Sequence, residues 1–209
     1  DLSSNRNVFI GYQAGATNTS GDRNSVVGYN ALNNNSTGSD NVAIGYLALG
    51  NNTTGNDNTA VGNNALASLG GTQTGIRNTA VGFHALYFNT SGEYNVAIGY
   101  EAMSNSSTSG NTTGSYNIAI GNSALDNNET GSYNTGIGNN VDVDDANRTN
   151  TIVLGGNGNL SLGGDNRVRI GNSSMSSIGG QVGWTTISDE RVKTNLSEGV
   201  KGLGFIMRL

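Results

Sequence analysis

The chain has 209 residues, 33 of them glycine, with no proline, no cysteine and a formal charge of −5. The missing cysteine excludes a disulfide framework and a thiolate zinc site, and the acidic balance speaks against a nucleic-acid partner, which calls for basic stripes. No apolar run approaches the roughly 18 residues of a membrane-spanning helix.

A glycine-rich composition often accompanies disorder, but here the glycines recur with a period, and a period argues for order. From Asn7 the chain reads NVFIGYQAG, then NSVVGYNAL (from Asn24), NVAIGYLAL (Asn41), NTAVGNNAL (Asn58) and NTAVGFHAL (Asn78). NVAIGYEAM (Asn95), NIAIGNSAL (Asn117) and NTGIGNNVD (Asn134) follow. The glycines that close each apolar run are Gly11, Gly28, Gly45, Gly62, Gly82, Gly99, Gly121 and Gly138. They are 17 residues apart except for one step of 20 and one of 22. A second series (Gly21, Gly38, Gly55, Gly75, Gly92, Gly114, Gly131) stands three residues before each repeat asparagine. The extra residues of the long steps fall near Leu69–Thr72 and Ser104–Gly110, which reads as insertion at one face of a regular coil. A chain that opens inside a repeat is expected to lack its own N-terminus, so the absence of a visible signal peptide carries no weight.

Each unit offers a short run such as Val42-Ala43-Ile44, a glycine, an Ala-Leu pair and a polar turn. Runs this short form strands rather than helices, and Gly and Asn supply turns with positive φ. One unit cannot bury its apolar residues alone, whereas stacked units share a continuous narrow core. The expected fold is therefore all-β, a parallel β-solenoid or β-roll with ~17-residue coils and a rod roughly 45–50 Å long at the inter-strand spacing. Alanines recurring at one position (Ala43, Ala60, Ala80, Ala97, Ala119) and at another (Ala31, Ala48, Ala65, Ala85, Ala102, Ala124) are read as interior, giving a cross-section too thin for a ligand pocket. The repeat asparagines Asn7, Asn24, Asn41, Asn58, Asn78, Asn95, Asn117 and Asn134 are expected to form a ladder, each side chain bonding its counterpart in the next coil.

The unit NVAIGYLAL resembles the head repeat of trimeric autotransporter adhesins, a left-handed parallel β-roll, and its added turn (Thr54-Gly55) brings it nearer to tail-fibre and cell-surface repeats. The resemblance covers roughly residues 7–140. It implies a homotrimer, an adhesive or spacer role, a cell-surface receptor or glycan as partner, and an extracellular, cell-surface or virion location. Aromatic residues follow the glycine (Tyr12, Tyr29, Tyr46, Phe83, Tyr100) or precede the asparagine (Tyr94, Tyr116, Tyr133). They pack on neighbouring coils or subunits, or they offer a stacking surface for sugars. A glycan-binding or glycan-processing fibre is the alternative function, and an ice-binding solenoid a lesser one, because the threonines do not keep one position along the repeats.

After residue 140 the Ala-Leu half of the unit disappears. The acidic segment VDVDDANRTN contains Asp142, Asp144 and Asp145, residue types that ligate calcium, but the spacing and closing glutamate of a calcium loop are missing and a solvated turn is expected. GGNGNLSLGGDN resembles a glycine-rich calcium nonapeptide without its repeated aspartate. No cofactor is expected. TIVLG and RVRIG keep the coil register, so residues 141–175 are read as closing coils and 176–188 as a neck in which Trp184 packs on a trimer axis. His84, the single histidine, occupies a slot that tolerates many residues and is expected to be exposed and inert.

From Asp189 the apolar period lengthens to three or four (Val192, Leu196, Val200, Leu203, Met207), the stripe of a short C-terminal helix with Ser188 as N-cap and Asp189 and Glu190 in its first turn. The segment WTTISDERVKTNLSEGVKGLGFIMRL resembles the start of the C-terminal intramolecular chaperone domain of endosialidase tail spikes, read here as residues 189–209 of a longer domain. That resemblance implies single-turnover self-cleavage of the Ser188–Asp189 bond, with Ser188 as nucleophile and Lys193 as the activating base. A lysine desolvated in a trimer interface loses its proton more readily. Whether Ser188 performs chemistry or only caps a helix stays open in the sequence.

Overall fold

The computed structural model describes residues 6–68, 71–104, 113–155, 158–159, 164–172, 174 and 176–177. They fall almost entirely in one compact unit, Asp1–Ser174. The second unit, Met175–Leu209, has only residues 176–177 described, so the expected neck, Trp184, the C-terminal helix and the Ser188, Asp189 and Lys193 set lie outside the described residues.

The unit is a parallel β-solenoid. Its strands are β1 (Val8–Ile10), β2 (Ser25–Val27), β3 (Val42–Ile44), β4 (Thr59–Val61), β5 (Thr79–Val81), β6 (Val96–Ile98), β7 (Ile118–Ile120), β8 (Thr135–Ile137), β9 (Val141–Asp142), β10 (Ile152–Leu154), β11 (Gly158–Asn159) and β12 (Val168–Ile170). Ten of them form one sheet in the order β1-β2-β3-β4-β5-β6-β7-β8-β10-β12, and β9 pairs with β11 separately. Every pairing is parallel and in repeat register, as in Val42↔Thr59, Ala43↔Ala60 and Ile44↔Val61. The closing coils keep that register, with Ile152 opposite Thr135 and Val168.

Strands of the ten-stranded sheet are short because a glycine with positive φ follows each one. Gly11 through Gly138 of the first glycine series have φ between +130° and +146°. A Cβ on Gly62 would also overlap the main-chain carbonyl of Gly82 in the next coil. The second series has ordinary φ values, and there glycine is required by space alone, since a Cβ on Gly38 would meet Gly55 O and the Asn35 and Asn52 amides.

Beyond the glycine the chain turns into a second wall, hydrogen-bonded between coils by Leu32 N–H to Ala48 O at 2.9 Å and Asn34 N–H to Gly50 O at 3.0 Å. The expectation that Gly and Asn supply positive φ values holds for the first glycine series and for residues such as Asn30 and Asn64, but other residue types share that conformation. The core leucines Leu32, Leu49, Leu66, Leu86 and Leu125 have φ of +49° to +52°, and the residue before each repeat asparagine from Asn24 to Asn134 is left-handed too, as in Arg23, Asp57 and Tyr94. A left-handed L-residue costs roughly 1–2 kcal/mol. Burying a leucine contributes about 1.5–3 kcal/mol, which offsets it.

The two alanine series are fully buried and share one core with these leucines, as their recurrence predicts. Sizes complement across the core. In the first coil Phe9 replaces the alanine and Gly15 the leucine, and a Cβ on Gly15 would strike the Phe9 ring. Gly136 likewise leaves room for Leu125.

Candidate functional site: the outer sheet face

With Ala43 turned inward, strand alternation turns Val42 and Ile44 outward. The same holds along the sheet: Val27, Ile44, Ile98, Ile118 and Ile137 are exposed while Val26, Ala43, Ala97 and Ala119 are fully buried. The result is two parallel outward columns, one from Val8 to Val168 and one from Ile10 to Ile170, the second aliphatic at all ten positions. Scattered exposed apolar residues are ordinary, but a contiguous apolar strip along a whole rod marks an interaction surface.

The aromatics that follow the glycine run beside these columns. Tyr12, Tyr29 and Tyr46 stack face to face, with centroids 5.2 and 5.5 Å apart, and Phe83 stacks on Tyr100 at 5.2 Å. Tyr94, Tyr116 and Tyr133 form another stack at 4.8 and 5.0 Å. Tyr12, Tyr29, Tyr46 and Tyr100 are 64, 47, 47 and 50% exposed. Yet the faces of an inner ring such as Tyr29 are covered by its neighbours, so such rings present edges and hydroxyls outward rather than the faces that sugar stacking uses.

His84 is not simply exposed. Half-buried, it stacks between Phe83 at 3.8 Å and Tyr87 at 4.2 Å, with Nε2 3.3 Å from Asn64 Nδ2. Burial lowers its pKa, which favours the neutral ring.

The repeat asparagines do form a ladder, mainly from side chain to main chain, with Asn78 Nδ2 also donating to Asn58 Oδ1 at 3.2 Å and Asn117 Nδ2 to Asn95 Oδ1 at 3.1 Å. Asn24 Oδ1 accepts the Asn41 N–H at 3.0 Å, and Asn24 Nδ2 donates to Gly38 O at 2.9 Å, both in the next coil. The pattern runs from Asn7 to Asn134, whose Oδ1 accepts the Thr151 N–H. A second ladder at Asn18, Asn35 and Asn52 escaped the sequence reading: Asn35 Nδ2 donates to Asn18 Oδ1 at 2.6 Å and Asn52 Nδ2 to Asn35 Oδ1 at 2.8 Å. Its signal was an asparagine three residues before the second-series glycine.

The three aspartates of the acidic segment are engaged separately. Asp142 is buried and accepts from the main-chain N–H of Asn127 and Val143. Asp144 pairs with Arg148 at 2.7 Å, and Asp145 accepts from Asn147 N–H. Among the described residues no group of three or more His, Cys, Asp or Glu side chains is placed to hold a metal ion. Burial pushes the Asp142 carboxyl up to about 7. On the surface the Arg6 guanidinium beside Asp22 holds that carboxyl at about 2, and Arg23 bridges Asp22 and Asp40.

No known protein family, no curated protein and no solved structure matches this chain. No described helix is long and apolar enough to cross a membrane.

Proposed function

We propose that the chain is a structural and adhesive fibre segment, working as a homotrimer in which three copies bury their outer sheet faces against one another. One observation carries this reading. Every strand of the sheet face carries at least one outward apolar side chain, and Val27, Ile44, Ile98 and Ile137 are exposed in the single chain. Its partner must offer apolar groups at the same coil-to-coil repeat, and a second and third copy meet that condition by identity. The resemblance of the NVAIGYLAL repeat to adhesin heads supports three copies and a fibre on a cell or virion surface that presents or spaces a receptor-binding region.

The C-terminal resemblance supplies the assembly step. A rod of near-identical coils has many registers of similar energy. A C-terminal trimerisation domain that is cut off at Ser188–Asp189, with Lys193 as base, would align the chains and then leave a kinetically trapped trimer.

Sedimentation equilibrium of the full chain tests the reading. The expected mass is that of three chains, 21.4 kDa each while the Ser188–Asp189 bond is intact, and a monomer at micromolar concentration would sink it.

A further inference from the structure

The outer face is not uniform. Of the two outward columns, the one from Ile10 to Ile170 is aliphatic throughout, but the one from Val8 to Val168 carries four hydroxyls: Ser25, Thr59, Thr79 and Thr135. They stand in the second, fourth, fifth and eighth strands of the ten-stranded sheet. All four point outward, and none of these hydroxyls has a hydrogen-bond partner among the described residues. We infer that Ser25, Thr59, Thr79 and Thr135 form a register code, through which the outer face accepts another copy of this chain only at the same coil height.

The inference rests on the proposed association through this face and adds what selects its alignment. In a rotationally symmetric bundle of parallel copies, identical residues share one level, so each hydroxyl layer meets its own kind and can exchange O–H···O bonds. Slipping one copy by one coil leaves a single hydroxyl layer matched, Thr59 against Thr79. The others face methyl groups, where a desolvated hydroxyl loses its water without a replacement. A purely aliphatic face would score every slip nearly alike. A few polar positions in an apolar seam are the same device that sets register in helical coiled coils. The uneven spacing of the four layers matters, because an evenly spaced set would match again after a regular slip. Ser25, Thr79 and Thr135 stand three coils apart, so a three-coil slip remakes two matches, but Thr59 breaks that spacing and every other slip makes at most one, against four in register.

Because the chain contains no cysteine, register is measurable directly. Two single-cysteine chains, Val27→Cys and Ile44→Cys, place thiols at paired positions of adjacent coils on the aliphatic column. They are assembled together and oxidised in air with copper–phenanthroline to disulfides, which need Cα atoms within about 4.4–6.8 Å and so resolve a one-coil offset of about 4.8 Å. We expect 27–27 and 44–44 links to exceed 27–44 links by roughly tenfold or more. In the background Ser25→Val, Thr59→Val, Thr79→Val, Thr135→Val, the 27–44 share is expected to rise by a similar factor while the oligomer mass is kept. Comparable mixed and like links in the parent face would overturn the inference, and so would strict like-with-like pairing that survives in the valine background. Sedimentation of the same samples separates the two readings. A monomer defeats the association itself, whereas an oligomer with scrambled links in the parent face defeats only the register code.

Discussion

The main-chain N–H of Asn58 donates to Asn41 Oδ1 at 3.0 Å, while Asn41 Nδ2 donates to Gly55 O at 2.9 Å. One side chain thus satisfies a buried donor and a buried acceptor of the coil above it. Asn41→Ala leaves both unpaired, at about 1–3 kcal/mol for each orphaned group. Asn41→Asp keeps the acceptor but buries a carboxylate against Gly55 O, so at neutral pH it is expected to be no more stable than the alanine variant. Urea denaturation of the three proteins checks that order.

Gly62 combines a φ of +138° with a carbonyl of Gly82 where its Cβ would lie. Gly62→Ala is therefore expected to cost more than about 3 kcal/mol, beyond the usual range for a single substitution, and to open the sheet between β4 and β5. Gly50, which has no such φ and whose nearest neighbour to an added Cβ is 3.1 Å away, should accept alanine with a much smaller loss. Hydrogen exchange of the 59–61 and 79–81 amides distinguishes the two variants.

Asp142 stands where Leu125 and Leu49 stand in earlier coils, and its carboxyl is raised from 3.8 to about 7, by burial first and by Asp126 in addition. A folded state that holds the proton more tightly than the unfolded chain is stabilised at low pH. The contribution is full below about 4, declines as pH rises from there to about 7, and is lost above it. At about 1.4 kcal/mol per unit it amounts to at most about 4 kcal/mol. Asp142→Asn should flatten this dependence, and melting temperatures between pH 4 and pH 8.5 would reveal it.

Tyr29 lies between Tyr12 and Tyr46 in its stack. Tyr29→Ala removes two ring contacts, each worth about 0.5–1.5 kcal/mol, whereas Tyr12→Ala removes one. The inner substitution should therefore lower the denaturant midpoint about twice as much as the outer one.

Much of this was legible because the repeat prints the same instruction many times. Ala43 and its equivalents marked the inward position, and Gly45 marked the end of the strand. The asparagine series announced its ladder, though the sequence could not tell side-chain from main-chain partners. What the pattern hid was conformational. Nothing in a leucine's chemistry advertises φ near +50°, and only the stacked core makes Leu49 tolerate it. His84 looked free because its slot varies, but the neighbouring Phe83 and Tyr87 decide its environment. The outward direction of Val42 and Ile44 was implicit in the inward alanine between them, and a reading of core residues alone passes over it.

Sedimentation equilibrium of the parent beside an Ile44→Asp, Ile98→Asp variant decides whether other copies of the chain cover the outer sheet face. Both substitutions point outward from β3 and β6 and leave the core untouched. The account predicts a trimer for the parent and a monomer with an unchanged β-sheet circular dichroism spectrum for the variant. A monomeric parent, or a variant that remains trimeric, would contradict it.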